Sequence, residues 1–419
     1  MNFKRVVITG LGAVTPIGND VSSYWSNLLD GVSGSAPITL FDSSNFKTHF
    51  ACEVKGFKPE EEFDRKELRK YDRYVQFALK ATKEALEDSS IDVEKVDLDR
   101  VGVIFATGVG GITSMETEME SVLADGNGLQ RFSPFYITRM IADMAAGHIS
   151  MKYNFRGPNF GVVSACASST HAMGVALDQI RLGRADIMIT GGSEAAINRS
   201  GIGGFNSMHA LSTRNDDYKR ASRPFSKSRD GFVMGEGAGT LVFEELEHAQ
   251  ARGAKIYAEV VGMAATADAY HLTATHPDGL GALAVMKNAL KDANLSVDEV
   301  DYINAHGTST QNGDVSELKA IQTLFGDSAK KINISSTKSM TGHLLGATGA
   351  IEAIAAVMSI VDGVVPPTIN HDEEDCDSDI DYSLNLTFNK CQKRNVSVAM
   401  SNTFGFGGHN ATIVFKRFK

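Results

Sequence analysis

Short apolar runs alternate with helical patterns over the whole chain, and this alternation limits the possible folds more than any other feature. Runs of strand type fall at 5–10, 101–107, 160–165, 186–192, 239–246, 256–264, 300–306, 331–337, 397–403 and 411–416. Helical periodicity occupies several of the gaps, at 70–88, 139–150, 167–182, 280–293, 314–325 and 347–361. Strands separated by helices predict an α/β protein with parallel or mixed sheets. The pattern also runs twice. Each half has a strand ending in a reactive residue, then a small-residue turn, then a helix: VVSAC–ASST in the first, YINAH–GTST and STKSMTGHLLG in the second. A boundary is expected near 250–255, where EELEHAQARGAK closes a helix and opens a strand, giving halves 1–252 and 253–419.

The chain has 419 residues, 42% hydrophobic and 22% charged, which is ample for a large core. No apolar run approaches the roughly 20 residues that span a bilayer. The opening MNFKRVVITGLG has no long apolar segment of signal-peptide type, so a cytoplasmic protein without membrane insertion is expected. The four cysteines, Cys52, Cys166, Cys376 and Cys391, form no CxxC pair and no zinc spacing, and no metal is expected. A net charge of −10 argues against nucleic acid. An acidic partner would have to meet a local basic patch. ITGLGAVTPIG (8–18) suggests a dinucleotide loop, but Thr15 takes the third fingerprint position and Pro16 follows it. HDEEDCDSDID (371–381) reads as a solvated acidic loop.

Within FGVVSACASSTHAMG (160–174), Cys166 stands where a strand turns into a helix. A lone cysteine can be a small buried hydrophobe. A helix beginning directly after it would instead favour a thiolate, and the small neighbours Ala165, Ala167, Ser168 and Ser169 leave room for a substrate. His306 in NAHGTST and His343 in SSTKSMTGHLLGATGAIE occupy matching strand-end settings. Each could be a hydrogen-bonded core residue. Together with Cys166 they suggest Cys–His–His chemistry through a covalent thioester.

VVSACASSTHA, NAHGTST, STKSMTGHLLGATGAIEA and MSNTFGFGGHN (400–410) resemble the motif set of the β-ketoacyl-[acyl-carrier-protein] synthases, most closely the elongating enzymes of type II fatty-acid synthesis. ALSTRND, RDGFVMGEGAG and DAYHLTATHP fit the same group, so the resemblance covers essentially the whole chain. It implies a thiolase-like fold, two duplicated α/β halves in a five-layer α-β-α-β-α arrangement, normally as a homodimer, and a decarboxylating Claisen condensation. Cys166 would carry the acyl group. Neutral His306 and His343 would donate to the malonyl thioester oxygen. The backbone N–H groups of Cys166 and Phe404 would form the oxyanion hole, with Lys338 and Glu352 tuning His343. Thr308, Thr310 and Thr273 would bind the pantetheine arm, Phe404 would gate the site, and Val109 would line the acyl pocket. Substrates would arrive on acyl-carrier protein, with no separate cofactor.

DRKELRKYDR (64–73) places Arg65, Lys66, Arg69, Lys70 and Arg73 at helical spacing, a basic stripe suited to an acidic carrier protein. His209 stands where related enzymes often carry arginine, which shifts expected docking toward Arg214 and the stripe. Other readings are a ketosynthase of a type II polyketide or aryl-polyene-like pathway, and a non-catalytic chain-length-factor partner. The intact Cys166 speaks against the latter.

Overall fold

In this computed structural model, which describes residues 3–124 and 132–419, two copies of a five-stranded sheet meet edge to edge. The first copy contains β1 (Val6–Val14), β2 (Val101–Ala106), β3 (Asn159–Val162), β4 (Ile187–Glu194) and β5 (Gly237–Glu245). The second contains β6 (Ala258–Ala267), β7 (Tyr302–Asn304), β8 (Asn333–Ser335), β9 (Val398–Gly405) and β10 (His409–Lys416). The strand order is β8-β7-β9-β10-β6-β1-β5-β4-β2-β3, so each strand has a counterpart five places on. In each copy the last strand pairs antiparallel with the first and the fourth, and the fourth, second and third run parallel. The copies join through β1 and β6 over only Val7–Ile8 and Ala258–Glu259.

Helices α1 (Arg73–Ser89) and α2 (Met144–Tyr153) cover the outer face of the first sheet, and α4 (Leu280–Asp292) and α5 (Gln311–Phe325) cover the second. Between the sheets lie α3 (Ser168–Arg181) and α6 (Thr348–Asp362), each touching strands of both copies. Five layers result. From Thr348 to Ile360 every residue of α6 except Met358 is buried, as a helix apolar on all sides requires. The stretch Leu345–Asp362 is therefore long and apolar enough to cross a membrane, contrary to the sequence reading, yet it is 83% buried as the middle of the core.

The predicted strands and helices fall on observed ones with shifted ends. The largest shifts are at the helix expected from 139, which starts instead at Met144, and at β1, expected to stop at Gly10 and instead continuing to Val14. A Cβ on Gly10 or Gly12 would lie 2.2 or 1.9 Å from carbonyl oxygens of α1 (Ala85 and Ala81), so these glycines let helix and strand approach closely. The GLG run is thus packing within a strand. Helices Val21–Leu29, Ile112–Ala124 and Arg199–Ser207 were not anticipated. The glycine-rich GIGG of Arg199–Ser207 gives little helical signal of its own. The acidic run 371–381 is only partly solvated: Asp375 accepts from Ser228, and Asp377 pairs at 2.7 Å with the buried Arg229.

Candidate active site

Duplication places the reactive side chains. A single 3-10 turn, Ala165–Ala167, precedes α3, and its counterpart Leu345–Ala347 precedes α6. Ala165 (φ 51°) and Leu345 (φ 46°) both hold the left-handed conformation, which costs a residue with a Cβ and marks both turns as over-determined by their surroundings. Cys166 occupies the middle of the first turn and Gly346 the middle of the second.

The turn that presents His343 faces Cys166. His343 Nε2 lies 3.0 Å from Cys166 Sγ, and its Nδ1 lies 2.9 Å from the hydroxyl of Thr348 at the start of α6. The His306 ring stands 5.4 Å from that of His343 and nearly perpendicular to it, and 5.5 Å from Phe404. His306 is fixed from behind: Glu317 of α5 accepts the N–H groups of His306 and Gly307, each at 2.9 Å, and the amide of Asn402 at 3.1 Å. Lys338 Nζ donates to Glu352 Oε1 at 2.5 Å, with both side chains buried.

Burial dominates the electrostatics. It pushes the Cys166 thiol up to about 12, against the opposing pull of Lys338 and of the N–H groups of Phe406 and Cys166 itself. The helix end alone does not leave a resting thiolate, as the sequence suggested; the sulfur is too deeply desolvated. Burial and the charge of Lys338 hold His343 and His306 well below the ordinary imidazole value, so both are neutral. The second backbone donor facing the sulfur is Phe406, two residues beyond Phe404. The motif FGFGG holds two phenylalanines, and only the curl of the chain after β9 tells which N–H turns inward.

These groups close one end of a cavity of about 680 Å³. Thr273, Thr308, Thr310, Phe205, Met208 and Phe406 line its walls. Thr308 and Thr310 share a hydroxyl–hydroxyl hydrogen bond at 3.0 Å. Val109 is 44% exposed and lies outside the lining of this cavity. Thr348 and Phe406 stand inside the quoted motifs without a role assigned to them there, and Glu317 lies outside every motif.

The basic stripe is interrupted. Arg65–Leu68 is a short helix capped by Asp64, the chain then turns, and α1 begins afresh at Arg73 with Asp72 as its cap. Arg65, Lys66, Arg69 and Lys70 are exposed. Arg73 is not part of that surface: it pairs at 2.6 Å with the fully buried Glu236, which needs a counter-charge. Arg214 is half-buried and donates to the carbonyl of Ser228 at 2.8 Å.

Residues 3–249 match the family described as beta-ketoacyl synthase, N-terminal domain, and residues 257–372 match beta-ketoacyl synthase, C-terminal domain. The chain is 49% identical over 416 residues to 3-oxoacyl-[acyl-carrier-protein] synthase 2 of Staphylococcus aureus strain COL, covering 99% of each. It is 48% identical to the protein of the same name from Coxiella burnetii, covering 100% of this chain and 99% of that one. Among solved structures, a beta-ketoacyl synthase from Burkholderia phymatum superposes with a TM-score of 0.88 at 34% identity, over 99% of this chain and 100% of that one. A type II polyketide ketosynthase in complex with its acyl-carrier protein and bound to the hexaketide superposes at 0.91 with 36% identity, over 100% of both chains. On matches that span both halves and geometry that brings the motif residues together, the chain belongs to the beta-ketoacyl synthase family.

Proposed function

We propose that this protein is an elongating 3-oxoacyl-[acyl-carrier-protein] synthase that adds two carbons to an acyl chain by decarboxylating condensation. The observation that carries the reading is a buried thiol 3.0 Å from a neutral imidazole at the closed end of a deep cavity. In loading, the Cys166 thiol gives its proton to His343 Nε2 and its sulfur attacks the acyl thioester carbonyl. The N–H groups of Cys166 and Phe406 receive the oxyanion. The bond to the pantetheine sulfur then breaks, and that thiolate takes the proton back from His343.

Malonyl carrier enters next. His306 and His343, each donating Nε2–H, stabilise the enolate oxygen as the bond to the carboxylate breaks and carbon dioxide leaves. The enolate carbon attacks the acyl carbonyl on Cys166. Collapse of the adduct expels the Cys166 thiolate, which takes up a proton, and releases the 3-ketoacyl thioester. His343 thus accepts at Nε2 in the first stage and donates there in the second. The Thr348 hydroxyl suits both, since it can accept from Nδ1–H or donate to bare Nδ1. Burial, aided by Lys338, keeps both histidines neutral, which leaves His343 Nε2 free to accept the thiol proton.

Thr308, Thr310 and Thr273 line the path of the pantetheine arm. Arg65, Lys66, Arg69 and Lys70 offer acyl-carrier protein a positive surface, with Arg214 nearer the cavity mouth as a weaker contributor. A homodimer in the cytoplasm is the assembly we favour. β3 is an edge strand with Phe160 (42%) exposed, Val163 (58%) follows it, and Met115, Met119, Leu123, Ile137 and Ile141 add further exposed apolar surface. A second copy against this edge would cover Val109 and make it part of the acyl pocket.

Intact mass after incubation with acyl-carrier thioesters of graded chain length tests the reading. Wild type should gain the acyl mass and Cys166→Ala should not. No adduct with any straight-chain donor would turn the assignment toward a polyketide ketosynthase.

A further inference from the structure

Glu194 ends β4 with a carboxylate wholly removed from solvent, and no step described above uses it. Its Oε2 accepts the N–H groups of Gly108 (2.7 Å) and Gly346 (2.9 Å), and its Oε1 accepts the Thr107 hydroxyl (2.8 Å) and the Val109 N–H (3.2 Å). These donors belong to two turns: the one after β2, which carries Val109, and the one between His343 and α6. The contact is close. A Cβ on Gly108 would lie 2.7 Å from Glu194 Oε2, and one on Gly346 would lie 2.0 Å from the Gly108 nitrogen.

The internal duplication shows why an anion sits there. Gly346 is the counterpart of Cys166. In the first half, the N–H at the start of the central helix faces the sulfur and, during reaction, a substrate oxygen. In the second half, the equivalent N–H meets a carboxylate from the chain itself. An anion-binding helix start has been permanently filled, and its occupant ties two walls of the working site together.

We propose that Glu194 is a positioning residue, whose carboxylate fastens the His343 turn to the Val109 turn and so keeps the histidine side and the acyl side of the site in register around Cys166. This rests on the condensing-enzyme reading. Its charge also reaches Cys166, where it opposes loss of the thiol proton. The other charge acting on that sulfur is Lys338, and the titratable groups that share its cavity are His306, His343, Glu317, His209, Asp230 and Asp268.

The test compares wild type, Glu194→Gln and Thr107→Val by acyl loading across chain lengths and by the pH profile of Cys166 alkylation with iodoacetamide. A glutamine has one acceptor oxygen and must turn its NH₂ toward an N–H group. Glu194→Gln should therefore load acyl groups at least tenfold more slowly, favour a different chain length, and alkylate at lower pH because the opposing charge is gone. Thr107→Val removes one donor and keeps the charge, so it should alter the chain-length preference with the alkylation profile unchanged. Folded variants with wild-type preference and profile would overturn the proposal. Should Glu194→Gln not fold, the Thr107→Val preference alone decides. Failure of the underlying reading would look different, because wild type itself would take no acyl group.

Discussion

Lys338 and Glu352 form an ion pair that solvent does not reach, outside the lining of the substrate cavity. Removing one partner strands the other charge in the core, which typically costs about 3–5 kcal/mol. Lys338→Met should lower the denaturant midpoint accordingly and abolish malonyl decarboxylation. Lys338→Met with Glu352→Leu should regain most of the stability and none of the activity. Urea unfolding and a carbon dioxide release assay separate the two effects.

His306 and His343 should not fail in the same way. Only His343 touches the sulfur. His306→Ala should leave acyl loading within a few-fold of wild type, whereas His343→Ala should slow it by about tenfold; both should reduce decarboxylation by about 100-fold or more. Single-turnover loading and decarboxylation, measured separately, check the split.

Thr348→Val removes the only side-chain partner that Nδ1 of His343 has among the described residues. The loss of one buried hydrogen bond of about 1 kcal/mol predicts roughly a five-fold fall in turnover. Thr348→Ser should restore it.

Turnover should show no inflection near the usual imidazole value of about 6.5, because burial and Lys338 keep both histidines neutral well below it. Stability has opposing components, two of which come from the site. The histidine contribution is present above that value and declines as pH falls, because the unfolded chain binds protons that the folded one refuses. Burial raises Glu352 to about 7, so its contribution is present below the ordinary carboxylate range and is lost as pH rises through about 7. Urea midpoints and kcat measured from pH 5 to 8 report both.

Charge reversal at the basic stripe should divide by position. Lys66→Glu with Arg69→Glu should raise KM for carrier-bound substrates and leave KM for coenzyme A thioesters unchanged. Arg73→Glu should instead destabilise the fold by about 3 kcal/mol, because it sets a second negative charge against the buried Glu236.

Much of this was legible in the sequence, because the fold repeats one plan and the plan leaves a periodic trace. Strand, small-residue turn and helix recur around Cys166 and again before α6, and the motif residues were readable as a set. The failures have physical causes. Arg73 has the spacing of a surface stripe, yet Asp72 caps a new helix there and Glu236 draws the side chain inward. Glu317 is eleven positions beyond His306 on another element, and no periodicity announces that its carboxylate will hold that turn. The Cys166 thiol is raised because residues distant in sequence, such as Phe232, Met234 and Leu345, bury it, a property of tertiary packing that a helix-start argument cannot contain.

The two central helices impose an order on biosynthesis. α3 touches β10 and β6 as well as strands of its own half, and β10 ends at Lys416. While the chain is still being made, one flank of α3 stays bare until β10 leaves the ribosome, and Cys166 has neither His343 nor Phe406 beside it until those residues follow. The nascent chain therefore carries its most reactive sulfur without the groups that would set it to work. Competence waits for β10 to close the second sheet against α3.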